Sequence, residues 1–205
     1  MLDGAMRRLY APWLDRLGAK LADRGVSANT VTFAGLGAAL AAAGAVGLGA
    51  FGVALGFMAL SRLADGLDGA VARRAGLTDF GGFLDIVCDF AFYSLVPLAF
   101  ALNDPARALP AAVLLTSFYL NAASFLGFAV IAARRGMTTD RRGPKSLYFT
   151  TGLAEGTETI AVFVAMLVFP AAFAALAYGF AALCLVTCLA RVVLAARVFG
   201  GEAMP

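Results

Sequence analysis

The chain has 205 residues, of which 61% are hydrophobic and only 14% charged, and its mean hydropathy is +0.85. That composition excludes an ordinary soluble domain and describes a polytopic membrane protein. The net charge is +3 and histidine is absent, which removes His-based triads, His metal sites and imidazole general bases. Cys88, Cys184 and Cys188 all fall in apolar stretches, so they read as small packing residues and suggest no disulfide framework.

In chain order, residues 1–25 carry Arg7, Arg8, Arg16, Lys20 and Arg24. No uninterrupted apolar core follows an early basic patch, so a cleaved signal peptide is not expected. Leu2, Met6, Leu9, Trp13, Leu17 and Leu21 recur at helical spacing. Pro12 suits a first helical turn. The pattern predicts an amphipathic helix over residues 12–24, lying in the membrane interface with Trp13 as anchor. A helix packed on the protein's own surface would show the same periodicity. Residues 1–26 are thus an N-terminal interfacial helix, ahead of a single membrane domain over 27–200.

Six spans are predicted in that all-α domain. Ser27 or Asn29 caps the first, over about 30–49. The second starts near Phe51 and ends near Arg73-Arg74, with Arg62, Asp65 and Asp68 in its second half. The third runs from Phe80 to Leu102 with Asp85 and Asp89 in its first half, and the fourth covers about 109–132. A polar loop, Arg134 to Thr151, precedes a fifth span that follows Glu155 and Glu158. Pro170 breaks the apolar run before a sixth span reaches about Val198. Apart from Arg62 and Arg107, the basic residues lie at one side or its edge, which the positive-inside rule makes the cytoplasm. Both aspartate pairs then sit near the cytoplasmic ends of their spans.

Those four aspartates are the informative feature. Asp65 and Asp68 lie three residues apart and Asp85 and Asp89 four apart, so each pair shares one helix face. A charge at the bilayer centre costs about 2.5–3.5 kcal/mol on insertion scales. Arg62, one turn before Asp65, with Arg73 or Arg74, accounts for two of the four acids and not for all. Divalent cations supply the rest, and an oxygen-only set suits Mg²⁺ or Mn²⁺. Asp65, Asp68, Gly69 and Ala72 form one stripe; Gly81, Asp85 and Asp89 form another. Facing each other, the stripes make a carboxylate cleft with glycine walls, in which two ions could clamp a diphosphate.

Asp65-x-x-Asp68-Gly69-x-x-Ala72-Arg73 followed by Gly81-x-x-x-Asp85-x-x-x-Asp89 resembles the signature of the CDP-alcohol phosphotransferases. Seven residues separate Arg73 from Gly81, one fewer than the usual pattern, and the loss falls in the turn between the stripes. The resemblance implies six-span membrane enzymes that displace CMP from a CDP-linked donor, usually CDP-diacylglycerol, with an alcohol. It implies that Asp65 and Asp85 touch both of two metal ions, Asp68 one and Asp89 the other. Asp89 is then also the base that takes the acceptor's proton. Gly69 and Arg73 would contact the cytidine diphosphate, with Thr78 from the shortened turn. Asn29 and Thr32, similar to the family's Pro-Asn-x-x-Thr opening of the first span with Ala28 in place of the proline, would join these nucleotide contacts.

Beyond the signature, Arg62-Leu63-x-Asp65-Gly66-Leu67-Asp68-Gly69, Leu77-Thr78-Asp79, Lys145-Ser146-x-Tyr148 and Leu153-x-Glu155-Gly156-Thr157-Glu158-Thr159 resemble a branch of small bacterial inner-membrane members whose acceptor is unsettled. The likeness implies a multi-pass inner-membrane enzyme of phospholipid biosynthesis with its active site facing the cytoplasm. Its partners would be the donor, a small alcohol and membrane lipids, with a homodimer allowed and no nucleic acid. Arg134, Arg135 and Lys145 fit either anionic lipid headgroups or a phosphate-bearing acceptor. Glu155 and Glu158 fit either helix N-terminal placement or acceptor hydroxyls. Three other classes use intramembrane aspartates. UbiA-like prenyltransferases separate their two motifs in a longer chain, and an aspartyl protease needs only two acids. A divalent-cation transporter does not need Gly69, Ala72 and Arg73 beside the metal.

Overall fold

The computed structural model describes residues 3–137 and 156–200, and every regular element among them is helical. In order they are α1 (Asp3–Asp23), α2 (Ala28–Gly47), α3 (Phe51–Ala75), α4 (Asp79–Asn103), α5 (Ala108–Arg134), α6 (Gly156–Val168) and α7 (Phe173–Phe199). Single 3₁₀ turns, Pro105–Arg107 and Pro170–Ala172, lead into α5 and α7.

The boundaries have local causes. The Ser27 hydroxyl accepts from the Thr30 amide and caps α2, so the cap is Ser27 rather than Asn29. The Thr78 hydroxyl accepts from the Gly81 amide and caps α4. Asp104 accepts from the Ala106 amide, with Pro105 next to it, and turns the chain into α5. Gly76 ends α3 at φ +114°, a conformation that side chains resist, so a three-residue turn reverses the chain into α4.

Small residues on α2 set the packing. Ala39, Ala42 and Ala45 are buried, and α2 lies close along both α3 and α4. Bulky rings fill the space that this alanine face leaves. Phe100 of α4 stacks on Phe51 of α3 at 5.6 Å and on Phe173 of α7 at 4.3 Å. Phe163 of α6 meets Phe92 of α4 and Phe118 of α5 edge-on at 5.8 and 6.1 Å. Helices α5 and α7 form a second close pair, in which the Arg191 guanidinium donates to the Asn121 side chain at 2.9 Å and to Ser124 Oγ at 2.6 Å. Outward faces stay apolar: Leu102, Tyr119, Leu189 and Val193 are exposed.

Among the described residues, four helical stretches are long and apolar enough to cross a membrane: Ala28–Gly47, Asp79–Asn103, Pro105–Arg134 and Pro170–Phe199. Helix α3 has 25 residues, a length of about 37 Å, but its aspartates and arginines take it out of that class. Helix α6 shows 13 residues, about 20 Å.

Helix α1 differs from the expectation. It begins at Asp3 rather than near residue 12, so Pro12 lies inside it. The preceding Ala5, Met6, Arg7, Arg8 and Leu9 are good helix formers that extend it backwards. Leu14, 6% exposed, holds it to the bundle, while Trp13 is 54% exposed and points away from the protein. Leu14, with Leu17 and Leu21 beside it, packs with Val31 of α2 and with Leu67, Ala70 and Val71 of α3.

That contact depends on a close approach. A Cβ on Gly18 would lie 2.6 Å from the Ala70 Cβ and 2.9 Å from the Ala70 carbonyl carbon. Backbone cannot give way as a side-chain tip can, so Gly18→Val should cost about 1–3 kcal/mol of the α1–α3 contact. Limited trypsin digestion in detergent should then cut faster at Lys20 and Arg24. Gly37→Val, whose Cβ would meet nothing within 4 Å, should digest like the wild type.

Candidate metal and nucleotide site

Helices α3 and α4 make few direct contacts with each other; α2 stands behind both and holds them apart. The space between them carries the acids. One carboxylate oxygen each from Asp65, Asp85 and Asp89 lies within 4.8 Å of the others. Asp65 comes from α3 and the other two from successive turns of α4, so the group exists only when the hairpin is folded. Asp85 is exposed, while Asp65 and Asp89 are half-buried.

Arg62, one turn before Asp65, lies under this group. Its Nη1 donates to Asp89 Oδ1 at 2.9 Å and sits 3.5 Å from Asp65 Oδ1, while its Nη2 donates to Ser61 Oγ at 3.2 Å. The guanidinium lies over the Phe92 ring, 3.7 Å from its centroid. A planar cation stacked on a ring, with Nη1 shared between two acids and Nη2 on a serine, is tightly oriented. Three acids and one arginine leave a net charge of −2, so the cluster attracts divalent cations.

Asp68 stands apart from the three clustered carboxylates. It is 5% exposed, and its Oδ2 accepts a 2.7 Å hydrogen bond from the Thr32 hydroxyl of α2. It still lines a pocket shared with Thr32, Gly35, Ser61, Arg62, Asp65 and Cys88. The oxygen-rich set fits a hard divalent ion by its chemistry: close carboxylates, no imidazole, and a single thiol at the pocket wall.

The expected nucleotide residues fall at the same end of the bundle. Asn29 at the start of α2 approaches Gly81, its Oδ1 lying 3.4 Å from where a Cβ would be. The Thr78 hydroxyl lies 2.9 Å from that same point. Gly69 stands under Arg73, whose Nη1 is 3.3 Å from a Gly69 Cβ position. Neither Arg73 nor Arg74 neutralises the acid cluster. Arg73 Nη2 donates to Asp15 of α1 at 2.7 Å, and Arg74 Nη2 to Asp23 of α1 at 3.4 Å.

Of the expected acceptor residues, Lys145 and Glu155 lie outside the described residues. Arg134 is exposed at the end of α5, and Glu158 is in the first turn of α6. Arg135 donates to the Val198 and Phe199 carbonyls, capping the end of α7 with a cation as the helix dipole favours. Sequence reasoning passed over Ser61, Gly35 and Cys88 as lining residues and Asp15 as a partner. Ser61 and Gly35 carry a signal in hindsight, since each sits on the helix face of a residue already singled out.

Residues 26–199 match the CDP-alcohol phosphatidyltransferase family. The chain is 43% identical over 193 residues to inner membrane protein YnjF of Escherichia coli (strain K12), an alignment that covers 94% of each. No solved structure matches the chain. A signature whose acids converge between two helices and a family match across nearly the whole helical bundle lead to one conclusion: this chain belongs to the CDP-alcohol phosphatidyltransferase family.

Proposed function

We propose that the protein is an integral membrane phosphotransferase that moves a phosphatidyl group from CDP-diacylglycerol to a small alcohol, with release of CMP, in phospholipid biosynthesis. The observation that carries this reading is the convergence of Asp65, Asp85 and Asp89 within 4.8 Å between α3 and α4. Asp65, Asp68, Asp85 and Asp89 would hold two divalent ions, Mg²⁺ or Mn²⁺. When bound, such ions offset the charge that builds on the diphosphate oxygens during phosphoryl transfer.

The chain's own residues do the rest. Thr32 orients Asp68 through its hydroxyl, and Arg62 orients Asp89 and Asp65. Gly69 leaves room for the cytidine diphosphate, Arg73 pairs with its phosphates, and Asn29 and Thr78 border it near Gly81. Asp89 accepts the proton of the acceptor hydroxyl, whose oxygen attacks the phosphatidyl phosphorus as the bond to CMP breaks. In a chain without histidine, a carboxylate is the available base. Arg134, Arg135, Lys145, Glu155 and Glu158 are offered as acceptor contacts on charge grounds alone.

In the membrane, this reading places six spans, α2 to α7, in the inner membrane of a bacterium, as residues 27–200. Helix α1, within residues 1–26, lies in the cytoplasmic interface, and its exposed Trp13 suits that layer. The end of the bundle bearing Arg73, Arg74, Arg134 and Arg197 faces the cytoplasm by the positive-inside rule, and the site opens there.

Purified protein given CDP-diacylglycerol and candidate alcohols should release CMP only with Mg²⁺ or Mn²⁺ present, and chelation should stop it reversibly. CMP release that persists in excess chelator would count against the metal reading. Asp65→Asn and Asp85→Asn should each abolish CMP release while the protein still purifies as a folded species. Full activity in either variant would remove that residue from the ion-binding set.

For the base, Asp89→Asn keeps the shape of the side chain and cannot take a proton. Turnover should fall about 10²–10⁴-fold, with donor affinity changed less. Measuring CDP-diacylglycerol binding and CMP release on one preparation separates the roles. Unchanged turnover would remove Asp89 from the base role, and parallel loss of affinity and turnover would make it chiefly an ion ligand.

A further inference from the structure

Helix α1 does more than rest on the bundle. Its docking seam, Leu14 against Gly66 and Gly18 against Ala70, runs along α3 toward Gly69 and Arg73. Asp15 sits next to the buried Leu14 and one turn before Gly18, so its backbone position is set by that seam. From there its carboxylate accepts a 2.7 Å hydrogen bond from Arg73 Nη2, across 58 positions of sequence. Nη1 of the same guanidinium lies 3.3 Å from the Cβ position of Gly69. The arginine is therefore folded back over the glycine, with one edge of its fork on Asp15 and the other over Gly69. Both partners are half exposed, at 49% and 54% for Arg73 and Asp15, so solvent and a ligand can reach them.

We propose that Asp15 is a positioning residue for the donor: it holds the Arg73 guanidinium over Gly69, where the fork meets the cytidine diphosphate. This rests on the nucleotide role proposed above for Gly69 and Arg73. An arginine at an exposed helix end has many rotamers, and ordering it at the moment of binding opposes affinity. A carboxylate on Nη2 restricts those rotamers beforehand and leaves donors on Nη1 for phosphate oxygens. The Asp23–Arg74 pair two turns further along α1 is longer, at 3.4 Å, and more exposed, at 61% for each partner. Arg74 lies on a different face of α3 from Gly69, so that pair serves docking alone.

The test compares full-length wild type, Asp15→Ala, Asp15→Glu and Asp23→Ala, using CDP with MgCl₂ for binding and CDP-diacylglycerol for CMP release. An exposed ion pair sets the scale, so Asp15→Ala should weaken CDP binding and raise the donor KM about two- to fivefold, with kcat held. Asp15→Glu should recover most of the loss, and Asp23→Ala should match the wild type. In an Arg73→Ala background, Asp15→Ala should add nothing, because the two act as one unit. Unchanged or tighter CDP binding in Asp15→Ala would overturn the proposal, as would an equal effect from Asp23→Ala. Wild type that binds no CDP would overturn the nucleotide reading and this proposal together. Wild type that binds CDP with Asp15→Ala unaffected would overturn this proposal alone.

Discussion

The site depends on the placement of one cation. Asp65, Asp85 and Asp89 bring three carboxylate oxygens into a small space at the end of an apolar bundle, and like charges at that range repel. Arg62, only 16% exposed in its side chain, opposes that repulsion from within the helix pair. It is itself fixed by the Phe92 ring at 3.7 Å. Phe92 is 1% exposed and meets Phe163 of α6 edge-on. A continuous line of contacts therefore runs from Asp89 through Arg62 and Phe92 to the centre of the bundle. Breaking a desolvated pair of this kind leaves a stranded charge, which is more costly than the pair is stabilising.

Helix α2 supplies the complementary constraint. Its buried alanines let it lie close to α3 and α4 at once, and its Thr32 reaches Asp68. The two acid-bearing helices are thus positioned by a third rather than by each other. That division leaves the space between α3 and α4 to polar side chains, while the Phe-rich core further along carries the packing. Stability and chemistry occupy different levels of the same helices.

Much of this was legible in the sequence. Helices α2 to α5 begin and end within about two residues of the apolar runs, because Ser27, Thr78, Gly76 and Asp104 mark the ends chemically. The aspartate stripes were legible because helical periodicity is local, and Asp65, Asp85 and Asp89 do converge. What the sequence did not show depends on contacts between distant segments. Thr32 pairs with Asp68 across 36 positions and Arg73 with Asp15 across 58, and neither spacing leaves a periodic trace. The same reason hid Leu14. Its burial is decided by where α3 lies, which no local pattern records. The start of α1 was misplaced because Pro12 is a strong local signal for a first turn, and here the helix runs through it.

The turn at Gly76 to Thr78 separates two helical rows. Each residue added to or removed from a helix rotates everything beyond it by about 100°. A length change inside α3 after Asp65, or inside α4 before Asp89, would swing one acid out of the cleft. A change in the turn has no such effect, because Thr78 restarts the count for α4 wherever it stands, and Gly76 tolerates the backbone angles a tighter reversal needs. A turn one residue shorter between Arg73 and Gly81 would be absorbed there. Among related chains, insertions and deletions near the site should be confined to this reversal, and the spacing within each acidic row should not vary.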